Sequence, residues 1–181
     1  MALHPSVRAP LPPITTERLS IRALTPDDLE ALVVMCARAE NWEFEPPLDR
    51  PGTEAMLERQ LWLWETYGFG GCAIRDRTTG EVLGIVGLAV PRELAEHLPS
   101  VTAGWRVVPA DRGRGIATEA ATAVLEQAFT TMGLDRVGCA MHVDNARSFA
   151  VARRLGMTPI ATVDQALLLQ VTVDAWRARD Q

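Results

Sequence analysis

The chain has 181 residues, 48% of them hydrophobic, and a formal net charge of −5. That length suits one domain with a full-sized core, and that hydrophobic content excludes a disordered chain. The acidic balance argues against sequence-independent nucleic-acid binding, which needs a basic face, and is compatible with cationic, amine-bearing substrates.

Residues 1–13 carry four prolines and no apolar signal core, so they are expected as a flexible N-terminal arm ahead of a single domain spanning 14–178. No apolar run approaches the roughly 20 residues of a membrane helix, so no membrane partner is expected. Cys36, Cys72 and Cys139 show no paired spacing, which suits reduced thiols in a cytoplasm.

Leu19 to Arg22 alternates as a first strand. Thr25-Pro26-Asp27-Asp28 opens a helix, with Thr25 as cap and acids on the dipole's positive end; Leu29, Leu32, Val33 and Cys36 share a face. After an acidic, proline-bearing link from Glu40 to Pro51, a second helix is expected over Thr53 to Tyr67. Leu57, Leu61 and Trp64 form its buried stripe, and Trp62 points elsewhere. Gly71–Arg75 and Val82–Leu88 read as strands joined by the turn Asp76 to Gly80. A loop with Pro91 and Pro99 leads to a strand over Val101–Val108. The next helix sets Ala117, Ala120, Ala121, Val124, Leu125 and Ala128 on one face, and Gly133 ends it. Arg136–Val143 is a strand. Asp144-Asn145 starts a helix with Ser148, Val151, Ala152 and Leu155 in a stripe, stopped by Gly156. Thr158–Val163 and Ala166–Val173 close the chain as a hairpin. The order β-α-α-β-β-β-α-β-α-β-β places antiparallel strands first and a βαβ crossover in the middle, which marks a mixed α/β domain rather than a doubly wound nucleotide fold.

The segment Val107 to Ala120 carries the chemistry. A strand runs through a loop with two glycines and two arginines into an Ala-rich helix. Backbone N–H groups there converge at the positive end of a helix, where phosphate binds, and glycine permits close approach of the backbone. The P-loop pattern needs Gly-Lys-Ser/Thr, whereas Ile116-Ala117 follows Gly115. The dinucleotide fingerprint needs a third glycine where Thr118 stands, and Asp135 precedes the next strand instead of ending it. What is left is Arg112-x-x-Gly115-x-Ala117.

This is similar to the pyrophosphate signature of the GCN5-related N-acetyltransferases, the GNAT family. Thr16-Glu17-Arg18-Leu19-Ser20-Ile21-Arg22, Gly80 to Leu88, Ala103 to Pro109, Asn145 to Val151, Arg154-Leu155-Gly156-Met157 and Leu167 to Trp176 resemble its RimJ/RimL-like branch, the ribosomal-protein-alanine acetyltransferases. The resemblance runs from about residue 15 to 176. It implies an α/β (mixed α+β) acyl-CoA N-acyltransferase fold with a central, mostly antiparallel, splayed sheet and helices on both faces. It implies acetyl-CoA as co-substrate, a primary-amine acceptor (a protein N-terminal α-amine or a small molecule) and a monomer or homodimer.

On that resemblance Val107, Arg112, Gly113, Arg114, Gly115, Ile116, Ala117, Thr118 and Asn145 form the cofactor site. The two arginines are either phosphate ligands or solvated loop charges; Asn145 binds the pantetheine arm, caps a helix, or does both. The tyrosine that protonates the leaving thiolate in many members aligns with Ala152. Ser148 stands in for it as the catalytic acid, or is simply a small residue where the helix meets CoA. A glutamate base is replaced by Thr102. Glu93, Glu96 and His97 are possible substitutes or plain loop residues. Trp42, Glu43 and Glu45 are expected to bind the acceptor, with surface charge the alternative for the acids. Cys139 and His142 face opposite sides of a strand, and His4, His97 and His142 show no ligand spacing, so no metal is expected. Two other readings stay open: a non-catalytic acyl-CoA sensor or interaction module on the same fold, and a nicotinamide-dependent enzyme.

Overall fold

The computed structural model describes residues 4–38, 44, 46–92 and 94–179. Eight strands form one sheet in the order β1-β2-β3-β4-β5-β6-β8-β7. In chain order they are β1 (Ile14–Thr15), β2 (Leu19–Ala23), β3 (Gly71–Asp76), β4 (Val82–Ala89), β5 (Thr102–Val107), β6 (Arg136–His142), β7 (Thr158–Val163) and β8 (Ala166–Thr172). All neighbours are antiparallel except β5 and β6. The mixed sheet has the expected character; the two-residue β1 is an addition too short to carry a period in the sequence.

The helices are α1 (Leu29–Cys36), α2 (Arg50–Tyr67), α3 (Ile116–Thr130), α4 (Ala146–Arg154) and α5 (Val173–Ala178). Helix α2 starts before Thr53, inside the expected link, because Asp49 caps it and its carboxylate accepts the Gly52 N–H at 2.8 Å. A proline in the first turn costs no hydrogen bond, so Pro51 does not delay the start. On α2 Thr53, Leu57 and Leu63 are buried, Leu57 as expected, while Leu61 and Trp64 are half-buried. The Trp64 ring instead lies over Gly70, and its Nε1 donates to the Gly71 carbonyl at 2.9 Å. On α1 the buried face is Leu32, Met35 and Cys36, with Val33 at its margin. Helix α5 replaces the expected end of the last strand: the Thr172 hydroxyl accepts the Ala175 N–H, and buried Trp176 donates to Glu126 of α3 at 2.8 Å.

Two apolar clusters sandwich the sheet. The larger gathers Ala120, Ala121, Val124, Leu125 and Ala128 of α3 against Val86, Val107, Val137 and Leu169. The smaller joins α1 and α2 through Leu32, Met35, Cys36 and Leu57 over Leu24 and Ala73. Small residues along α3 let it lie close on the strands. The segment ahead of β1 is docked rather than loose over its described part: Val7 and Leu11 are buried, and the Arg8 and Leu11 N–H groups donate to Met132 and Gly68. Once apolar residues at that spacing find the core, the prolines merely stiffen the segment that carries them. All three cysteines are buried; burial pushes the thiols of Cys72 and Cys139 up to about 12. Among the described residues no helix is long and apolar enough to cross a membrane.

The start of α1 hangs on one buried carboxylate. Asp28, 1% exposed, accepts both Arg22 Nη atoms at 2.8 Å, Arg75 Nη2 at 2.7 Å and the Thr25 N–H at 2.8 Å. Burial alone would raise its pKa, but the bonds from Arg22, the Thr25 backbone and Arg75 hold it far below the usual carboxylate range. A carboxyl depressed in the folded state stabilises fully above the unfolded value near 4, and that contribution is lost as pH falls below it. Asp28→Asn is predicted to cost about 3–5 kcal/mol at pH 7, the range for breaking a buried ion pair. Denaturant melts should show a smaller cost at pH 3; an equal cost at both pH values would mean that the charge of Asp28 is not what holds α1.

Candidate active site

β5 and β6 begin as parallel neighbours and then separate. The Gly138 N–H donates to the Val101 carbonyl at 3.0 Å, and Thr102 sits opposite Gly138 as the one ladder position of the pair. A Cβ on Gly138 would stand 2.7 Å from Pro99 Cδ, so the loop ahead of β5 rests on the last paired residue. Beyond it the strands bound a cleft of about 1070 Å³, flanked by the starts of α3 and α4. Between the separated strands, backbone N–H and C=O groups face this space without a ladder partner across it.

At the mouth, Gly113 and Gly115 both take left-handed backbone, with φ of 79° and 80°. This conformation, more than clearance, explains the glycines: a Cβ on Gly113 would meet nothing within 4 Å, and one on Gly115 would face Arg18 Nη2 at 3.6 Å. Gly115 is the N-cap of α3 and has no capping side chain. The first-turn N–H groups are thus presented to the cleft at the positive end of a 15-residue helix. Arg112 Nε donates to the Val107 carbonyl at 3.2 Å and fastens the loop to the end of β5.

Val107, Arg112, Gly113, Gly115, Ile116, Ala117, Thr118, Asn145 and Ser148 all line the cleft. Arg114 does not. Its guanidinium is drawn to Asp111, and with Arg18 it borders a separate hollow of about 190 Å³. The Arg114 side chain is thus directed to Asp111, three residues earlier, rather than into the cleft. Trp42, Glu43 and Glu45, with Glu93, lie outside the described residues.

Helix α4 presents one face to the cleft and another to the core. Asn145, Ser148, Val151 and Arg154 line the cleft, whereas Ala152 and Leu155 are fully buried. Asn145 caps the helix through Oδ1, which accepts the Ser148 N–H at 3.0 Å; its amide NH2 keeps its two donors for other use. Ala152 points into the core, so its position has no room for a tyrosine. The chain's single tyrosine, Tyr67, packs edge-on to His4 and Trp62 at the end of α2.

The acids that line the cleft are committed. Asp111 pairs with Arg114. Burial pushes the Glu119 carboxyl up, but bonds from Thr16 and Arg18 outweigh it and lower its pKa. Glu96 is 83% exposed beside His97, away from the cleft. His142 was set aside in the sequence, yet it lines the cleft at the end of β6. Its Nδ1 accepts the Asp144 N–H at 3.2 Å, and its Nε2 donates to Gln165 Oε1 at 3.3 Å. The Phe44 ring stacks on it at 4.8 Å and 14°. Strand parity placed His142 opposite Cys139, but nothing in the sequence announced Phe44 as its partner. Among the described residues no group of three or more His, Cys, Asp or Glu is placed to hold a metal ion.

A sheet that opens between two parallel strands, with an uncapped helix start at its mouth, defines a class of acyl-transfer protein, and the comparisons agree. Residues 18–158 match the model of the acetyltransferase (GNAT) domain. The uncharacterized N-acetyltransferase YoaA of Bacillus subtilis (strain 168) is 24% identical over 148 residues, covering 80% of this chain and 82% of that protein. An acetyltransferase structure from Agrobacterium tumefaciens (str. C58) is 30% identical, with a TM-score of 0.78 over 88% of this chain and 94% of its own. A putative GNAT-family acetyltransferase from Bordetella pertussis is 25% identical, with a TM-score of 0.79 over 88% and 98%. The chain belongs to the GNAT acetyltransferase family, whose members move an acetyl group from acetyl-CoA to an amine.

Proposed function

We propose that this chain is an acetyl-CoA-dependent N-acetyltransferase of the RimJ/RimL-like branch, acting in the cytoplasm on an α-amine or another amine of lowered pKa. The observation that carries the reading is the separation of β5 from β6 after Thr102 and Gly138, with the bare α3 start at its mouth. The N–H groups from Gly113 to Thr118 hold the pyrophosphate, with Arg112 beside them. The Asn145 amide donates to the pantetheine arm, whose own amides pair with the free strand edges. A backbone N–H between Trp105 and Val107 faces the thioester oxygen and stabilises its developing charge. The amine nitrogen, having lost one proton to solvent, attacks the thioester carbon. The C–S bond breaks as the amide forms, Ser148 delivers a proton to the departing sulfur and regains one from solvent, and the nitrogen sheds its second proton to solvent. The segment with Trp42, Glu43 and Glu45, whose neighbour Phe44 stands on the cleft wall, holds the cationic acceptor.

The first test is ligand stabilisation. Acetyl-CoA at 100 times its dissociation constant should stabilise the fold by about 2.7 kcal/mol. A folded sample that shows no melting shift at millimolar acetyl-CoA overturns the site. A protein that binds acetyl-CoA but turns over no amine in a broad panel is the sensor module instead.

Ser148→Ala is predicted to lower kcat more than it weakens acetyl-CoA binding, because a proton donor to the leaving thiol acts in the transition state. Unchanged turnover with a chemically limited substrate would leave Ser148 as a packing residue.

Acceptor choice follows from the base. The described acids of the cleft are engaged by arginines and His142 is bonded at both ring nitrogens. Freeing a lysine amine at pH 7.4 costs about 4 kcal/mol, whereas an α-amine costs under about 1 kcal/mol. In competition between matched peptides at pH 7, one with a free N-terminus and blocked lysine and the other the reverse, the α-amine peptide should be acetylated first. Preference for the lysine peptide would demand a base that the described residues do not supply.

A further inference from the structure

The motif Thr16-Glu17-Arg18-Leu19 leads into β2, three strands from the cleft edge of the sheet, and the proposed chemistry makes no use of it. Its side chains nevertheless reach the phosphate loop. Arg18 Nε donates to Glu119 Oε2 at 2.8 Å, and Nη2 bonds the same oxygen. The Thr16 hydroxyl donates to Glu119 Oε1. Arg18 Nη1 donates to the carbonyl of Arg114 at 3.1 Å. The backbone of this turn is anchored in its own right: the Leu19 N–H donates to Thr16 Oγ1 at 2.9 Å, and the Arg77 N–H donates to the Arg18 carbonyl at 2.9 Å.

One peptide plane makes this contact matter. In a trans peptide the C=O and the following N–H point in opposite directions. Arg18 and Arg114 border the small hollow, while Gly115 lines the large cleft. Holding the Arg114 carbonyl toward Arg18 therefore turns the N–H of Gly115, a residue of the cleft wall, away from Arg18. With Gly113 and Gly115 both at left-handed φ, this loop has wide backbone freedom and needs something to select one orientation. Glu119, in the first turn of α3, holds the arginine fork in place while staying neutralised by it.

We propose that Arg18 and Glu119 form a clasp that positions the phosphate loop, so that Arg18 governs acetyl-CoA affinity without touching the reacting atoms. This rests on the reading of the α3 start as the pyrophosphate site. As an exposed pair, 48% and 22% accessible, the clasp contributes little to global stability; its effect is on the orientation of one peptide group.

The experiment measures acetyl-CoA steady-state kinetics and CoA affinity by calorimetry for the parent, Arg18→Ala, Arg18→Lys and Glu119→Gln. Arg18→Ala should raise the KM for acetyl-CoA and the Kd for CoA about tenfold, equivalent to about 1.4 kcal/mol. Its kcat should move less than twofold, and its unliganded melting temperature should stay close to the parent's. Arg18→Lys, which keeps the charge and loses the fork, should recover only part of the affinity. Glu119→Gln decides the mechanism by sign. Removing a negative charge beside a phosphate site would tighten CoA if charge alone mattered, and should weaken it if the clasp aims the loop. Unchanged CoA affinity in Arg18→Ala, tighter binding in Glu119→Gln, or loss of kcat in step with KM would each overturn the clasp. A parent protein that fails to bind CoA at all would instead overturn the phosphate site beneath it.

Discussion

The whole arrangement depends on two parallel strands giving up their ladder. Past Thr102 and Gly138, the edges of β5 and β6 carry backbone donors and acceptors that β4 and β8 cannot satisfy, because each strand bonds those neighbours along its other edge. Unpaired backbone polar groups are tolerated only where water or a ligand reaches them. The sheet is therefore open by necessity once it separates, and an extended, amide-bearing arm is a natural occupant of the gap, as an added strand is of any free sheet edge. What keeps the opening from closing is packing at its apex, where Pro99 occupies the space beside Gly138, and the helices that flank its two sides.

The rest of the molecule holds that geometry from two sides. The larger cluster fixes α3 and α4 against the sheet, so the two helix starts that border the cleft are set by buried alanines, leucines and valines rather than by the loops themselves. The smaller cluster carries α1 and α2, and its entry is fixed by the Asp28 knot between β2 and β3. The side bearing α3 and α4 is thus built on long apolar contact, and the side bearing α1 and α2 on a smaller cluster with a polar anchor at its entry.

Much of this was legible in the sequence because the informative residues report on local rules. The Gly-rich loop, the α3 stripe and the Asn145 cap are each short-range signals, and each lies where it was expected, while α3 stops at Thr130, three residues before Gly133. The loop's resemblance to a known signature supplied what periodicity could not, namely that the sheet is splayed. Long-range partners were not legible. Arg18 and Glu119 are a hundred residues apart in the chain, Phe44 and His142 nearly so, and no periodicity links them. Of the expected α2 stripe, Leu57 is buried as read, but Trp64 was misplaced for a related reason. Tryptophan looks like core by composition, but Trp64 has a polar N–H that finds the Gly71 carbonyl, so it sits at the margin and leaves the centre to Leu63. Val7 and Leu11 show the converse: prolines suggested a loose segment, and two apolar side chains with a free patch of core decided otherwise.

The burial of the cysteines has a redox consequence for an enzyme of this family. Cys139 lines the cleft with its Sγ packed 3.4 Å from Met157 Sδ. Mixed-disulfide formation proceeds through a thiolate. Burial pushes the Cys139 thiol up to about 12, which disfavours that thiolate at neutral pH. The same burial that packs β6 therefore makes Cys139 a poor partner for any disulfide that enters the cleft.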